Sequence, residues 1–94
     1  MTYKLVFKVE AQKEWQKLDS TIKQQFKKKL AERLACPHVH AAKLNGMLNC
    51  YKIKLRSAGY RLVYEVRDAE VIVSVVAVGK RERNQVYKAA LKRI

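Results

Sequence analysis

The sequence predicts a small α+β domain: a first strand and a helical hairpin, followed by antiparallel strands and a C-terminal helix. Two observations carry this. The hydrophobic period changes from two to helical spacing and back by Cys50 to Arg56, and one late run, Val71 to Val78, is apolar on both sides with only Ser74 polar. The predicted order is β, α, α, β, β, β, α, the pattern of an antiparallel sheet of about four strands with helices packed against it.

Thr2 to Val9 alternates, with Tyr3, Leu5, Phe7 and Val9 on one side, so it predicts a half-buried strand. From about Ala11 to Leu34, Trp15, Leu18, Ile22, Phe26, Leu30 and Leu34 fall on one helical face. Asp19-Ser20 divides this stretch, with Ser20 as expected N-cap, giving helices over about 10–18 and 20–35. Pro37 ends the second helix, because the residue before a proline avoids the α region. His38 to Asn49 reads as a loop or a very short strand, with Gly46 as a turn point.

Cys50 to Arg56 alternates, with Tyr51, Ile53 and Leu55 opposite Lys52, Lys54 and Arg56. In the next strand Tyr60, Leu62, Tyr64 and Val66 form the apolar side, opposite Arg61, Val63 and Glu65. Burying both apolar sides together requires paired residue numbers that sum to an odd value. A two-residue Ala58-Gly59 turn pairs Ser57 with Tyr60, Lys54 with Val63 and Lys52 with Glu65. Lys52, Lys54, Arg56 and Arg61 then share one solvent-facing surface. Arg67-Asp68-Ala69 is the next turn, and the Val71–Val78 run reads as a central strand ended by Gly79. A last helix from about Asn84 places Val86, Tyr87, Ala90, Leu91 and Ile94 at helical spacing.

The 94 residues are the size of one domain, 1–94. No apolar run reaches the roughly 18 residues of a membrane span, and the first residues lack a signal-peptide apolar region, so a soluble, cytoplasmic protein without membrane contact is expected. Lys and Arg number 21 against 8 Asp and Glu, a formal charge of +13. Such self-repulsion calls for a polyanionic partner, nucleic acid first. Cys36 and Cys50 make no disulfide framework, and with His38 and His40 they match no common zinc spacing. There is no glycine-rich phosphate loop, GxSxG or HExxH motif. His38 and His40 stand too close together to flank a scissile bond from opposite sides. Trp15, Phe26 and Tyr64 read as core. What remains is a cationic surface of Lys52, Lys54, Arg56, Arg61 and the Lys80-Arg81-Glu82-Arg83 segment, suited to binding RNA or DNA or to catalysis on it.

Three stretches resemble the RelE toxins of bacterial toxin–antitoxin systems: Lys13 to Leu18, Cys50 to Tyr64, and Val78 to Tyr87. The resemblance covers essentially the whole chain. It implies a compact RelE-like α+β fold and a metal-independent endoribonuclease, an mRNA interferase that cuts messenger RNA in the ribosomal A site and needs no cofactor. It also implies a RelB-like antitoxin as partner, the 70S ribosome with its ribosomal RNA, and operator DNA reached only through the antitoxin complex. Position by position, its site residues are Lys52, Lys54, Arg61, Arg81 and Tyr87. Lys27, Lys28, Lys29, Arg56, Lys80 and Arg83 are then contacts to RNA or the ribosome. Asn45 stands where relatives often carry arginine, implying one fewer phosphate contact and the same reaction class.

In such a reaction the RNA 2′-hydroxyl attacks the adjacent phosphodiester. It needs a proton acceptor, cations for the crowded anionic transition state and a donor for the departing 5′-oxygen. Lys54 or Lys52 is expected to take the proton, Arg61 to stabilise the phosphorane, and Arg81 to stabilise or protonate the leaving group. Tyr87 is expected to stack on a nucleotide. The competing readings are a superfamily toxin that inhibits by binding, as the ParE branch does with gyrase, and a basic domain that only coats nucleic acid.

Overall fold

A computed structural model describes residues 2–82 and 84–94. The elements are β1 (Lys4–Phe7), α1 (Val9–Gln16), α2 (Ser20–Ala35), β2 (Cys50–Leu55), β3 (Tyr60–Arg67), β4 (Ile72–Lys80) and α3 (Gln85–Arg93), with short 3₁₀ turns at His40–Ala42 and Asp68–Glu70. The predicted order stands. The first strand is shorter than its alternation suggests, because Val9 already opens α1 and is exposed. The N-cap of α2 is Asp19, one residue before the expected Ser20. Its carboxylate accepts from the Ile22 N–H at 3.0 Å, satisfying an otherwise orphaned donor of the first turn.

The sheet order is β1-β4-β3-β2. It is mixed, not antiparallel throughout: β1 runs parallel to β4, with Lys4 beside Ile72 and Phe7 beside Val75. The α1–α2 hairpin and the strands after it let β1 return alongside the last strand in the same direction. β4 lies between β1 and β3, as its two-sided apolar run requires, and it continues through Gly79 to Lys80.

The β2–β3 register differs from expectation by one step on each strand. Leu55 pairs with Tyr60, Lys54 with Arg61 and Lys52 with Val63, so paired numbers sum to 115 instead of 117. The connection is the four-residue loop Arg56–Gly59. Gly59 adopts φ +72 and donates its N–H to the Leu55 carbonyl at 2.8 Å, a closure that favours glycine. The odd sum still holds, so the same side chains share a face.

Alternation along the strands builds three layers. Trp15, Leu18, Ile22, Phe26 and Leu30 cover one sheet face with Ile53, Leu62, Tyr64 and Val73, and Trp15, Phe26 and Tyr64 are core as expected. Val86 and Ala90 of α3 cover the other face over Val63, Val76 and Ala77. Tyr87 of the predicted α3 stripe is half-buried against this face, whereas Leu91 and Ile94 are exposed.

The open edge of β4 explains one further contact set. β1 ends opposite Val75, and a register shift between Val63 and Tyr64 leaves Val76 outside the ladder. The Val76 carbonyl accepts from Arg93 at 2.9 Å, and the Val78 N–H donates to Glu14 at 3.2 Å. Glu14 and Arg93 join in a two-bond ion pair at 2.8 and 3.1 Å, and the Lys8 ammonium donates to the Arg93 carbonyl at the end of α3. One clasp thus ties α1, β4 and α3 together.

Val71 closes the Asp68–Glu70 turn in the left-handed region, at φ 54 and ψ 47. For a β-branched residue this costs about 1–2 kcal/mol. Val71→Asn is expected to stabilise the fold by about 0.5–1 kcal/mol, read as a rise of a few degrees in Tm. An unchanged or lowered Tm would show that Val71 packing outweighs its strain.

Candidate functional site

The β3–β4 pairing brings Tyr60 beside Lys80 and Arg61 beside Gly79, and the Arg81 N–H donates to the Gly59 carbonyl at 2.7 Å. The segment after β4 is therefore fixed against the β2–β3 loop before the chain turns into α3. Asn84 makes that turn at φ 60 and starts the helix. The result is a cleft of about 460 Å³ lined by Lys54, Arg61, Lys80, Arg81, Asn84 and Tyr87, among others. Strand β2 supplies Lys54, β3 supplies Arg61, and the β4–α3 connection supplies the opposite wall.

Arg61 was expected on a solvent-facing surface. It is buried, at 7% exposure, because α3 packs on that same face, and it donates to the Tyr60 carbonyl at 3.2 Å. The corrected register puts Lys54 directly across from it. Cross-strand neighbours stand about 4.5–5.5 Å apart at Cβ, so the two cations face the same point. Lys52, then Lys54's lost hydration, then Arg61, Arg56 and Arg81 all disfavour its charged form and hold the Lys54 ammonium below the usual lysine range. The Tyr87 hydroxyl is buried and has no hydrogen-bond partner among the described residues, although its ring is partly exposed on the cleft wall.

The other expected site residues divide. Lys52 and Arg56 line a neighbouring depression that shares Lys54 with the cleft. Lys27, Lys28 and Lys29 are exposed on α2 and line neither depression. Arg83 lies outside the described residues. Sequence reasoning missed Arg33, Asn84 and Gln85. Arg33 had a signal, a basic residue on the last turn of a helix ending beside β2, but nothing along the chain placed it at that edge.

His38 is not near the cleft. It bonds Asp68 at 2.7 Å and Tyr51 at 3.0 Å, and Asp68 also accepts from Tyr3 at 2.7 Å. The Tyr3 and His38 hydrogen bonds hold the Asp68 carboxyl below its ordinary value. Cys36 is exposed and Cys50 buried, and burial pushes the Cys50 thiol up to about 11. No helix among the described residues is long and apolar enough to cross a membrane.

Fold and cleft together define a small, strongly cationic α+β domain with a cleft lined by Lys54, Arg61, Lys80 and Arg81. Comparison with known proteins sharpens that class. Residues 5–85 match the family described as ParE toxin of type II toxin-antitoxin system, parDE. The chain is 60% identical over 94 residues to the mRNA interferase toxin RelE of Escherichia coli K12, covering 100% of this chain and 99% of that one. A solved structure of E. coli toxin RelE, the R81A/R83A mutant in the free state, superposes with a TM-score of 0.92 at 57% identity, covering 100% of this chain and 99% of that one. The same mutant in complex with an antitoxin RelB peptide gives a TM-score of 0.84 at 57% identity, with the same coverage. The chain belongs to the RelE/ParE family of type II toxin–antitoxin toxins.

Proposed function

We propose that this toxin is a metal-independent endoribonuclease that cuts messenger RNA in the A site of the 70S ribosome and so stops translation. The observation that carries the reading is the placement of Lys54, its ammonium depressed, directly across from buried Arg61, with Arg81 and Tyr87 on the facing wall. Neutral Lys54 accepts the 2′-hydroxyl proton. Arg61 meets the charge building on the phosphorane, where a preset cation acts without reorganising. Arg81, exposed at the rim, stabilises or protonates the departing 5′-oxygen, and Tyr87 orients the nucleotide. The products are a 2′,3′-cyclic phosphate and a 5′-hydroxyl. Ribosome dependence follows if the ribosome supplies the bent in-line geometry that a weak base cannot compensate for.

A RelB-like antitoxin neutralises the toxin in the cytoplasm, and the complex, not the toxin alone, engages operator DNA. Lys27, Lys28, Lys29, Lys80 and Arg83 serve as contacts to ribosomal RNA.

Primer extension on a short message, with and without programmed ribosomes, tests this. Cuts at A-site codons that require ribosomes are expected. Comparable cleavage of naked RNA would overturn ribosome dependence. No cuts, with tight salt-sensitive binding retained, would turn the function to inhibition by binding, and gyrase would be assayed next, given the ParE description of the matching family.

The general base has a pH signature. If neutral Lys54 is the active form, the single-turnover rate rises with pH through its lowered pKa. Lys52 is the largest cause of that lowering. Lys52→Gln therefore moves the rising limb of the profile to higher pH, toward the ordinary lysine value of about 10.4. An unmoved limb would remove Lys54 as the titrating group.

A further inference from the structure

The depression beside the cleft is the strongest feature left unused. It holds about 330 Å³ and runs along the outer edge of β2. Four cations line it, Arg33, Lys52, Lys54 and Arg56, with no carboxylate among its described lining residues. The first cleft, by contrast, includes Glu82. Val39, Ala41 and Ala42 give its lining an apolar part.

Arg33 is held ready there. One terminal nitrogen, NH1, donates to the Lys52 carbonyl at 3.1 Å and to the Tyr64 hydroxyl at 3.0 Å. Tyr64 in turn donates to the Pro37 carbonyl at 2.8 Å, and the guanidinium carbon sits 5.8 Å from the Tyr64 ring centre. A guanidinium carries five N–H donors, so two bonds through NH1 leave the other side of the fork for an anion. Fixing the side chain beforehand removes the rotamer entropy that a free arginine loses on binding.

We propose that this depression is a second phosphate subsite for single-stranded RNA, in which Arg33, Lys52 and Arg56 grip a phosphodiester flanking the one held in the first cleft. Lys54 belongs to both depressions, so one strand passes from one to the other over it. Lys52 and Lys54 project from the same face of β2 about 6.6–6.8 Å apart along the strand. The apolar part formed by Val39, Ala41 and Ala42 gives the adjoining base a surface to lie on. This rests on the reading of RNA as substrate, and it adds a place where the strand continues.

The test uses the full chain and 2′-O-methyl RNA, which lacks the attacking hydroxyl and stays intact. Fluorescence anisotropy compares an oligonucleotide of about three nucleotides with one of about seven, long enough for single-strand sites of about 4–16 nucleotides. Arg33→Gln removes the charge. Ala41→Glu places a carboxylate in the depression from an exposed position, so it keeps the test valid if Arg33→Gln loosens the fold. Each variant is expected to lose about five- to tenfold in affinity for the longer strand. The short strand changes by less than about twofold, and the Arg33→Gln salt slope on the longer strand falls by about 0.7.

Unchanged binding of the longer strand by folded Ala41→Glu overturns the proposal. So does a loss seen only on ribosomes, which would assign the depression to ribosomal RNA instead of the strand in the cleft. Length-dependent binding that both variants weaken, in a protein that cuts no message, would overturn the nuclease reading and leave the subsite standing.

Discussion

Lys54→Ala is expected to slow cleavage of ribosome-bound message by about 10²–10³-fold while the protein stays folded. Lys54 is half-exposed on a sheet face and makes no hydrogen bond that secures the core, so its removal spares stability. It takes away the proposed proton acceptor and one cation of the cleft together. Lys54→Arg separates the two roles. A guanidinium restores the charge but does not deprotonate in a protein. Rescue by arginine would make Lys54 an electrostatic residue, and wild-type cleavage by Lys54→Ala would remove it from the mechanism.

Glu14→Gln is expected to cost about 2–3 kcal/mol, because it leaves Arg93 short of its counter-charge against the sheet. In a domain of this size that lowers Tm by about 10–20 °C. The Arg93 side chain is 18% exposed and the Glu14 side chain 34%, so solvent softens the loss compared with a fully buried pair. The clasp also holds the end of the helix that carries Tyr87, so cleavage at low temperature, where the variant remains folded, falls as well. Replacing both partners, Glu14→Met with Arg93→Met, recovers part of the stability, since no charge is then stranded. A Glu14→Gln protein that melts with wild type would mean that the pair does not hold α3.

What could be read along the chain was what local periodicity dictates. The stripe from Trp15 to Leu30 is buried at every predicted position, and the two-sided run of β4 lies inside the sheet. The β2–β3 hairpin came out one step wrong because a glycine can close a two-residue or a four-residue loop, and only the Gly59–Leu55 bond separates them. That step matters for the site, since it sets Lys54 opposite Arg61. The parallel β1–β4 pairing, the Glu14–Arg93 clasp and the reach of Arg33 to the β2 edge join residues far apart in sequence. Alternation and propensity carry no information about such partners. The burial of Arg61 was missed for the same reason: its own strand reads as half-exposed, and the covering helix comes last in the chain.

The parallel pairing of β1 with β4 bears on the order in which this fold assembles. β1 precedes the other strands in sequence, yet among the described residues its strand partner is β4, the last strand of the sheet. Until β4 is available, β1 has nothing to pair with, and the β2–β3 hairpin stands without its larger neighbour. An isolated two-stranded hairpin is marginally stable at best in water. The clasp residue Arg93 and the cleft residues Arg81 and Tyr87 follow later still. The sheet and the cleft therefore close together, once β4 and the segment that follows it are present.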